Sequence, residues 1–155
     1  IDVIATAIRG GITAPELADL ELAYAPPFGS AKDAINMLGY ISENILSGLL
    51  ETAQWNQIEE YREKGFELLD VRTPSEFAAG SIPGARSMPV DEIRNRVTEL
   101  KTRNILVNCQ VGQRGHTASM LLKEFGFNAV NLDGGYLTWS NSPASITEKE
   151  KEYVS

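Results

Sequence analysis

Asn104-Ile105-Leu106-Val107-Asn108-Cys109-Gln110-Val111-Gly112-Gln113-Arg114-Gly115 is the stretch on which the fold turns. Its apolar centre, Ile105-Leu106-Val107, does not alternate with polar residues. A short unbroken apolar run of this kind is expected of a strand buried on both faces. Cys109 stands at the end of that strand. A short loop with Gly112 and Gly115 follows, and Gln113 to Phe125 then reads as a helix with Ala118, Leu121, Leu122 and Phe125 on one stripe.

The same alternation extends on both sides. Asn56 to Lys64 reads as a helix ending at Gly65, and Phe66 to Val71 as a buried strand. Pro74 to Ala79 is a helical turn closed by Gly80, and Ala85 to Met88 a short strand. Val90 to Leu100 reads as a helix with its charges on the solvent face. Ala129 to Leu132 is a further strand, closed by Gly134-Gly135. Repeated strand–helix alternation predicts an α/β sandwich with a mostly parallel sheet flanked by helices over residues 51–143.

Residues 1–50 differ. They carry two basic and six acidic side chains, against ten and twelve in residues 51–143 and two and three in the tail, 144–155. Asp2 to Arg9 reads as the end of a helix stopped by Gly10-Gly11. Ala14 to Leu20 reads as a short helix, with Thr13 as N-cap and Pro15 in its first turn. Glu21 to Ala25 is a candidate strand before Pro26-Pro27. Ser30 to Leu46 is an amphipathic helix with Ile35, Leu38, Ile41, Ile45 and Leu46 on its apolar side. Fifty residues with one strand bury little core. This piece is expected to pack on something else or on a second copy of itself. The tail, Ile146 to Tyr153, alternates Glu and Lys and reads as a solvated helix or frayed end.

Composition narrows the function. The 155 residues carry a formal charge of −7. That disfavours nucleic acid and anionic membranes as partners, since both are bound by clustered Lys and Arg. One cysteine and one histidine allow neither an intrachain disulfide, a multi-cysteine metal site nor a paired-histidine zinc motif, so no metal is expected. No apolar run approaches the roughly 20 residues of a membrane helix, and no basic leader precedes Val3 to Ile8. A cytoplasmic protein is the expectation.

Cys109 carries the chemistry. In open parallel sheets, ligands bind at the carboxyl ends of strands. The loop of Gln110, Val111, Gly112, Gln113, Arg114 and Gly115 can turn its backbone N–H groups inward, and the following helix points its N-terminus at the same place. Arg114 adds a positive charge. Such a field favours the thiolate, which is the nucleophilic form. A lone cysteine at a strand end is also a small buried apolar residue. The strand, glycine loop, arginine and helix together favour the chemical reading.

With these residues in view, residues 51–143 resemble a rhodanese domain. The likeness lies in Leu69-Asp70-Val71-Arg72 with Ser75-Glu76-Phe77, Gly80-Ser81-Ile82-Pro83-Gly84-Ala85, the Cys109 loop, and Leu132-Asp133-Gly134-Gly135-Tyr136 with Trp139. Ser81 stands where that family usually has histidine. The resemblance implies a sulfurtransferase: Cys109 takes sulfane sulfur from a small donor as a persulfide and passes it to a thiol acceptor or cyanide. Residues 110–115 would hold the persulfide anion, with Arg114 helping to bind the donor. Asp70, Arg72 and Glu76 would form an ion-pair and capping set that braces the loop. His116 is read as starting the helix; as a general base it has no evident orienting partner. Cysteine phosphatases place five residues between cysteine and arginine, whereas here there are four. A smaller anion than phosphate is therefore expected. The alternative is a non-catalytic rhodanese-like binding or regulatory module.

Residues 16–47 resemble the end of the dimerisation domain of pyridine nucleotide–disulfide oxidoreductases, in Asp19 to Phe28, Ser30-Ala31-Lys32-Asp33 and Ile35-Asn36-Met37. The likeness is greatest to the branch that reduces coenzyme A disulfide, coenzyme A persulfide or polysulfide, some members of which carry a rhodanese domain. It implies a parent enzyme using FAD, NAD(P)H and coenzyme A, a homodimer through residues 1–50, and Tyr24 bordering the partner subunit's site. No glycine-rich dinucleotide fingerprint occurs here, so no cofactor is expected in this chain.

Overall fold

The computed structural model describes residues 1–23 and 33–145. The chain forms two compact units, Ile1–Leu50 and Glu51–Ser155.

In the first unit, α1 (Asp2–Gly10) is followed by a 3-10 turn, Pro15–Asp19, and by α2 (Ala34–Leu46). Asp33 caps α2: its carboxylate accepts the Ile35 N–H, and the Asn36 side chain accepts the Asp33 N–H. Ser30 to Lys32, expected in this helix, lie outside the described residues. Thr13 is not the cap of the preceding turn. Ala14 holds that position, and the Thr13 hydroxyl and N–H both donate to the Glu16 carboxylate at 2.7 Å. Glu21 to Ala23 form no strand, and the remainder of that expected strand, with Tyr24, is outside the described residues, as is the Ile146 to Tyr153 tail.

Asn36 holds this unit together. It is buried, and its side-chain amide faces the carbonyls of Leu17, Ala18 and Leu20 at 3.1, 3.3 and 2.8 Å. Met37, Leu38, Ile41, Ile45 and Leu46 on the same helix are exposed.

The second unit is a five-stranded sheet of β1 (Thr52–Ala53), β2 (Glu67–Asp70), β3 (Arg86–Ser87), β4 (Asn104–Asn108) and β5 (Asn128–Leu132). The order is β1-β5-β4-β2-β3, and all four pairings are parallel. The central strand, β4, alternates its side chains between two cores. Ile105 and Val107 pack with Leu69, Ile93, Ala118 and Leu122. Leu106 packs with Leu68, Ile82, Val130 and Trp139 on the other face. Fully burying a Leu, Ile or Val side chain contributes roughly 1.5–3 kcal/mol, and because both faces of β4 are buried in this way the strand reads as one apolar run.

The helices are α3 (Ile58–Glu63), α4 (Pro74–Ala78), α5 (Ile93–Arg96), α6 (Gln113–Glu124) and α7 (Gly135–Ser140). The continuous helix expected over Val90 to Leu100 is broken. A 3-10 turn, Val90–Glu92, precedes α5, and another, Val97–Glu99, follows it. Arg96 leaves helical geometry at φ −120°, and its guanidinium spans the break from Glu92 to Glu99. Neither β1 nor α7 was expected from the sequence.

Replacing Asn36 by Leu leaves the facing carbonyls buried without a donor and should cost about 1–3 kcal/mol. Hydrogen exchange should show faster exchange at the α2 amides while β4 and β5 keep their protection.

Candidate active site

β4 carries Cys109 to the carboxyl edge of the sheet, where the residue is only 1% exposed. The Gly112 N–H donates to its Sγ at 3.1 Å. That geometry needs Gly112 at φ 109° and ψ −26°, a conformation that side chains other than hydrogen resist. Gly112 is also the residue at which α6 begins. Its carbonyl accepts the His116 N–H at 2.8 Å and the Asn131 side-chain amide at 3.2 Å. Because a trans peptide points its N–H opposite its carbonyl, this fixes the Gln113 N–H toward the open end of the helix, on the side of the loop.

The loop is gripped from behind by α7. The Tyr136 N–H donates to the Cys109 carbonyl at 2.7 Å, and the Leu137 N–H to the Gln110 carbonyl at 3.0 Å. A Cβ on Gly135 would overlap the Cys109 carbonyl oxygen. The Gly134-Gly135-Tyr136 sequence is thus the seat of the cysteine loop. Sequence reasoning noted these residues only as a likeness, because nothing local to residues 132–139 reveals contact with residues 109–110.

Asp70 and Arg72 lie beneath the loop, 0% and 2% exposed. Arg72 meets the Asp70 carboxylate through Nε at 3.0 Å and Nη2 at 2.7 Å, and reaches the Gln110 side chain at 3.3 Å and the Gly80 carbonyl at 2.7 Å. Its guanidinium stacks 4.0 Å from the centre of the Tyr136 ring. Asn108 donates to the same Asp70 carboxylate at 3.2 Å. Gln110 is therefore engaged from below, and Asn108 and Asn131 are supporting residues that the sequence did not single out.

Glu76 stands apart from the Asp70–Arg72 pair, so the three residues expected as one set form two. Glu76 closes a capping box on α4, accepting the Thr73 N–H and hydroxyl at 2.9 Å each. It also meets Arg114 in a two-pronged pair, both contacts 2.7 Å. Arg114's hydrogen bonds, with those from Thr73, hold the Glu76 carboxyl down at about 2, and Glu76 in turn raises Arg114. Cys109 and Asp70 are the other groups whose charge acts on Arg114.

Val111 and Gln113 are exposed, and among the described residues the backbone contact to the sulfur comes from Gly112. Gly115 is buried against Asn131, close behind the first turn of α6. The His116 ring lines a groove with Asp91, Arg94, Met120 and Glu124. Its Nδ1 has no hydrogen-bond partner among the described residues.

A parallel α/β sheet that ends its central strand in a thiol, under a backbone N–H and at the start of a helix, defines a cysteine-bearing α/β domain. The chain belongs to the rhodanese-like domain family, whose profile matches residues 52–142. It is 36% identical over 85 residues to a sulfurtransferase of Allochromatium vinosum, covering 54% of this chain and 79% of that protein. The human thiosulfate:glutathione sulfurtransferase is 33% identical over 88 residues, 46% of this chain and 76% of that protein. Two solved structures align beyond the family match. One is the reduced Bacillus anthracis protein described as CoADR-RHD, with TM-score 0.86 and 43% identity over 95% of this chain and 26% of that one. The other is the NAD-dependent persulfide reductase of A. fulgidus, with TM-score 0.77 and 35% identity over 90% of this chain and 25% of that one. The chain thus spans about a quarter of each of these proteins. Together the relatives support sulfur transfer as the general chemistry of the domain. Among the described residues no helix is long and apolar enough to cross a membrane.

Two outcomes follow from the charges. Arg72→Met leaves the Asp70 charge buried without its partner and should cost about 3–5 kcal/mol in urea denaturation. Glu76, lowered in the folded state, stabilises the fold in full above about pH 4.5, the ordinary carboxylate range. That contribution is lost as pH falls through about 2. Acid unfolding of Glu76→Gln should accordingly show a smaller loss of stability across that window than the parent chain.

Proposed function

We propose that the domain transfers sulfane sulfur through a persulfide on Cys109. The Cys109 thiolate attacks the outer sulfur of a donor, a new S–S bond forms, and the donor's S–S bond breaks. The leaving group, sulfite or a thiolate, departs with the bonding electron pair. The negative charge now rests on the terminal sulfur of the Cys109 persulfide. An acceptor thiolate or cyanide then attacks that sulfur and returns the Cys109 thiolate.

The observation that carries this reading is the Gly112 N–H on Sγ at 3.1 Å at the first turn of α6. Backbone donors aimed at the place where charge develops stabilise it without reorganising. Their supports are rigid: Asn131 and His116 on the Gly112 carbonyl, and α7 on the Cys109 and Gln110 carbonyls. With Cys109 this deeply enclosed, a slender sulfur chain reaches Sγ more readily than a bulky ester.

The likeness to CoADR-RHD and to the persulfide reductase over nearly the whole chain supports a finer reading. In it, the domain serves a flavin-dependent NAD(P)H disulfide or persulfide reductase. Residues 1–50 belong to that enzyme's dimerisation domain, and the exposed apolar side of α2 joins two copies. FAD, NAD(P)H and coenzyme A would be bound by that parent enzyme outside the residues described above, and the setting would be cytoplasmic.

Intact-mass measurement after exposure to thiosulfate or polysulfide tests the core of this reading. The expected result is a gain of one sulfur atom, removed by cyanide and absent from Cys109→Ser. No gain with either donor would overturn it and favour a binding module.

A further inference from the structure

Arg114 is the loop's own cation, yet it faces the site already engaged. Both of its terminal nitrogens are held by Glu76, and Glu76 is in turn fixed to the N-terminus of α4 by the Thr73 N–H and hydroxyl. A change of Arg114 rotamer would therefore leave the carboxylate where it is. The other cation beside the loop, Arg72, is buried and committed to Asp70, Gly80 and Gln110. The remaining loop side chains, Gln110, Val111 and Gln113, are neutral.

An oxyanion-terminated donor meets a problem here that a persulfide does not. The sulfonate of thiosulfate needs a cation or several N–H donors beside the reacting sulfur. At Arg114 it would either displace an anchored carboxylate or lie next to it, like charge against like charge. A persulfide carries a single negative charge on its terminal sulfur, where the backbone N–H groups can receive it, and it places no second anionic group beside Glu76.

We propose that Glu76 is a specificity-determining residue, which neutralises Arg114 and thereby biases Cys109 toward persulfide and polysulfide donors over oxyanionic donors such as thiosulfate. This rests on the sulfur-transfer reading and names its donor class. Both donors are used by balanced steps. Thiosulfate gives the Cys109 persulfide and sulfite, and an alkyl persulfide gives the Cys109 persulfide and the alkyl thiol.

The test is the rate of Cys109 persulfide formation, followed by intact mass on the full chain, with thiosulfate and with 2-hydroxyethyl persulfide. The parent chain, Glu76→Gln, Arg114→Gln and the double variant are compared. Removing one charge beside a partly exposed cation should raise the thiosulfate-to-persulfide rate ratio about tenfold in Glu76→Gln. That gain should vanish when Arg114 is also replaced. Arg114→Gln alone, which keeps the Thr73–Glu76 cap, should lower the ratio, and it reads the same selectivity if Glu76→Gln folds poorly. A brace with no selective role would slow both donors by the same factor. An unchanged ratio in both single variants, with persulfide still forming, would overturn the assignment while leaving the sulfur-transfer reading intact. A parent chain that loads from neither donor would overturn both.

Discussion

The hydrogen bond from Gly112 to the Cys109 sulfur spans three residues of chain, and a large part of the second unit exists to hold those three residues still. A left-handed glycine is required to bring the N–H round to the sulfur. That peptide would be free to rotate if its neighbours were not pinned. Asn131 from β5 and the first turn of α6 fix the carbonyl of Gly112, and two N–H groups at the start of α7 fix the carbonyls of Cys109 and Gln110. Each support comes from an element anchored in the sheet core, so loop geometry is tied to global packing. Backbone donors placed this way are already oriented when negative charge reaches the terminal sulfur.

Two arginines flank the loop and do different work. Arg72 is enclosed with Asp70, and its value is positional: it joins the edge of β2 to Gln110, Gly80 and Tyr136. A buried pair of this kind adds little net stability compared with apolar packing, yet it is costly to break from one side. Arg114 is about a third exposed and paired with an equally exposed Glu76. Solvent screening there limits its contribution to stability. What it sets is the local charge that an incoming donor meets.

How much of this could be read from the chain depended on sequence distance. The central strand was legible because both its faces are buried, which turns Ile105-Leu106-Val107 into an unbroken apolar run. Cys109 and its glycine loop were legible because strand, loop and helix are contiguous. The split of Glu76 from Asp70 and Arg72 was not, since it depends on Arg114, 38 residues on. Nor was the seat that Gly135 and Tyr136 make for the Cys109 carbonyl, which only the β4–β5 pairing brings into place. The broken helix over Val90 to Leu100 misled for a different reason. Its apolar residues do face one core, and that period is satisfied by short helical pieces as well as by one continuous helix.

If the Gly112 N–H and its neighbours receive the transferred sulfur, their amide protons register its arrival and its removal. Amide NMR of the chain before and after loading Cys109 with polysulfide, and again after cyanide, tests this directly. The expected result is that the Gly112 amide proton moves downfield with the persulfide, together with others of residues 110–115, and returns when cyanide removes the sulfur. A Cys109 persulfide evident by mass, with the Gly112 amide unmoved, would contradict it.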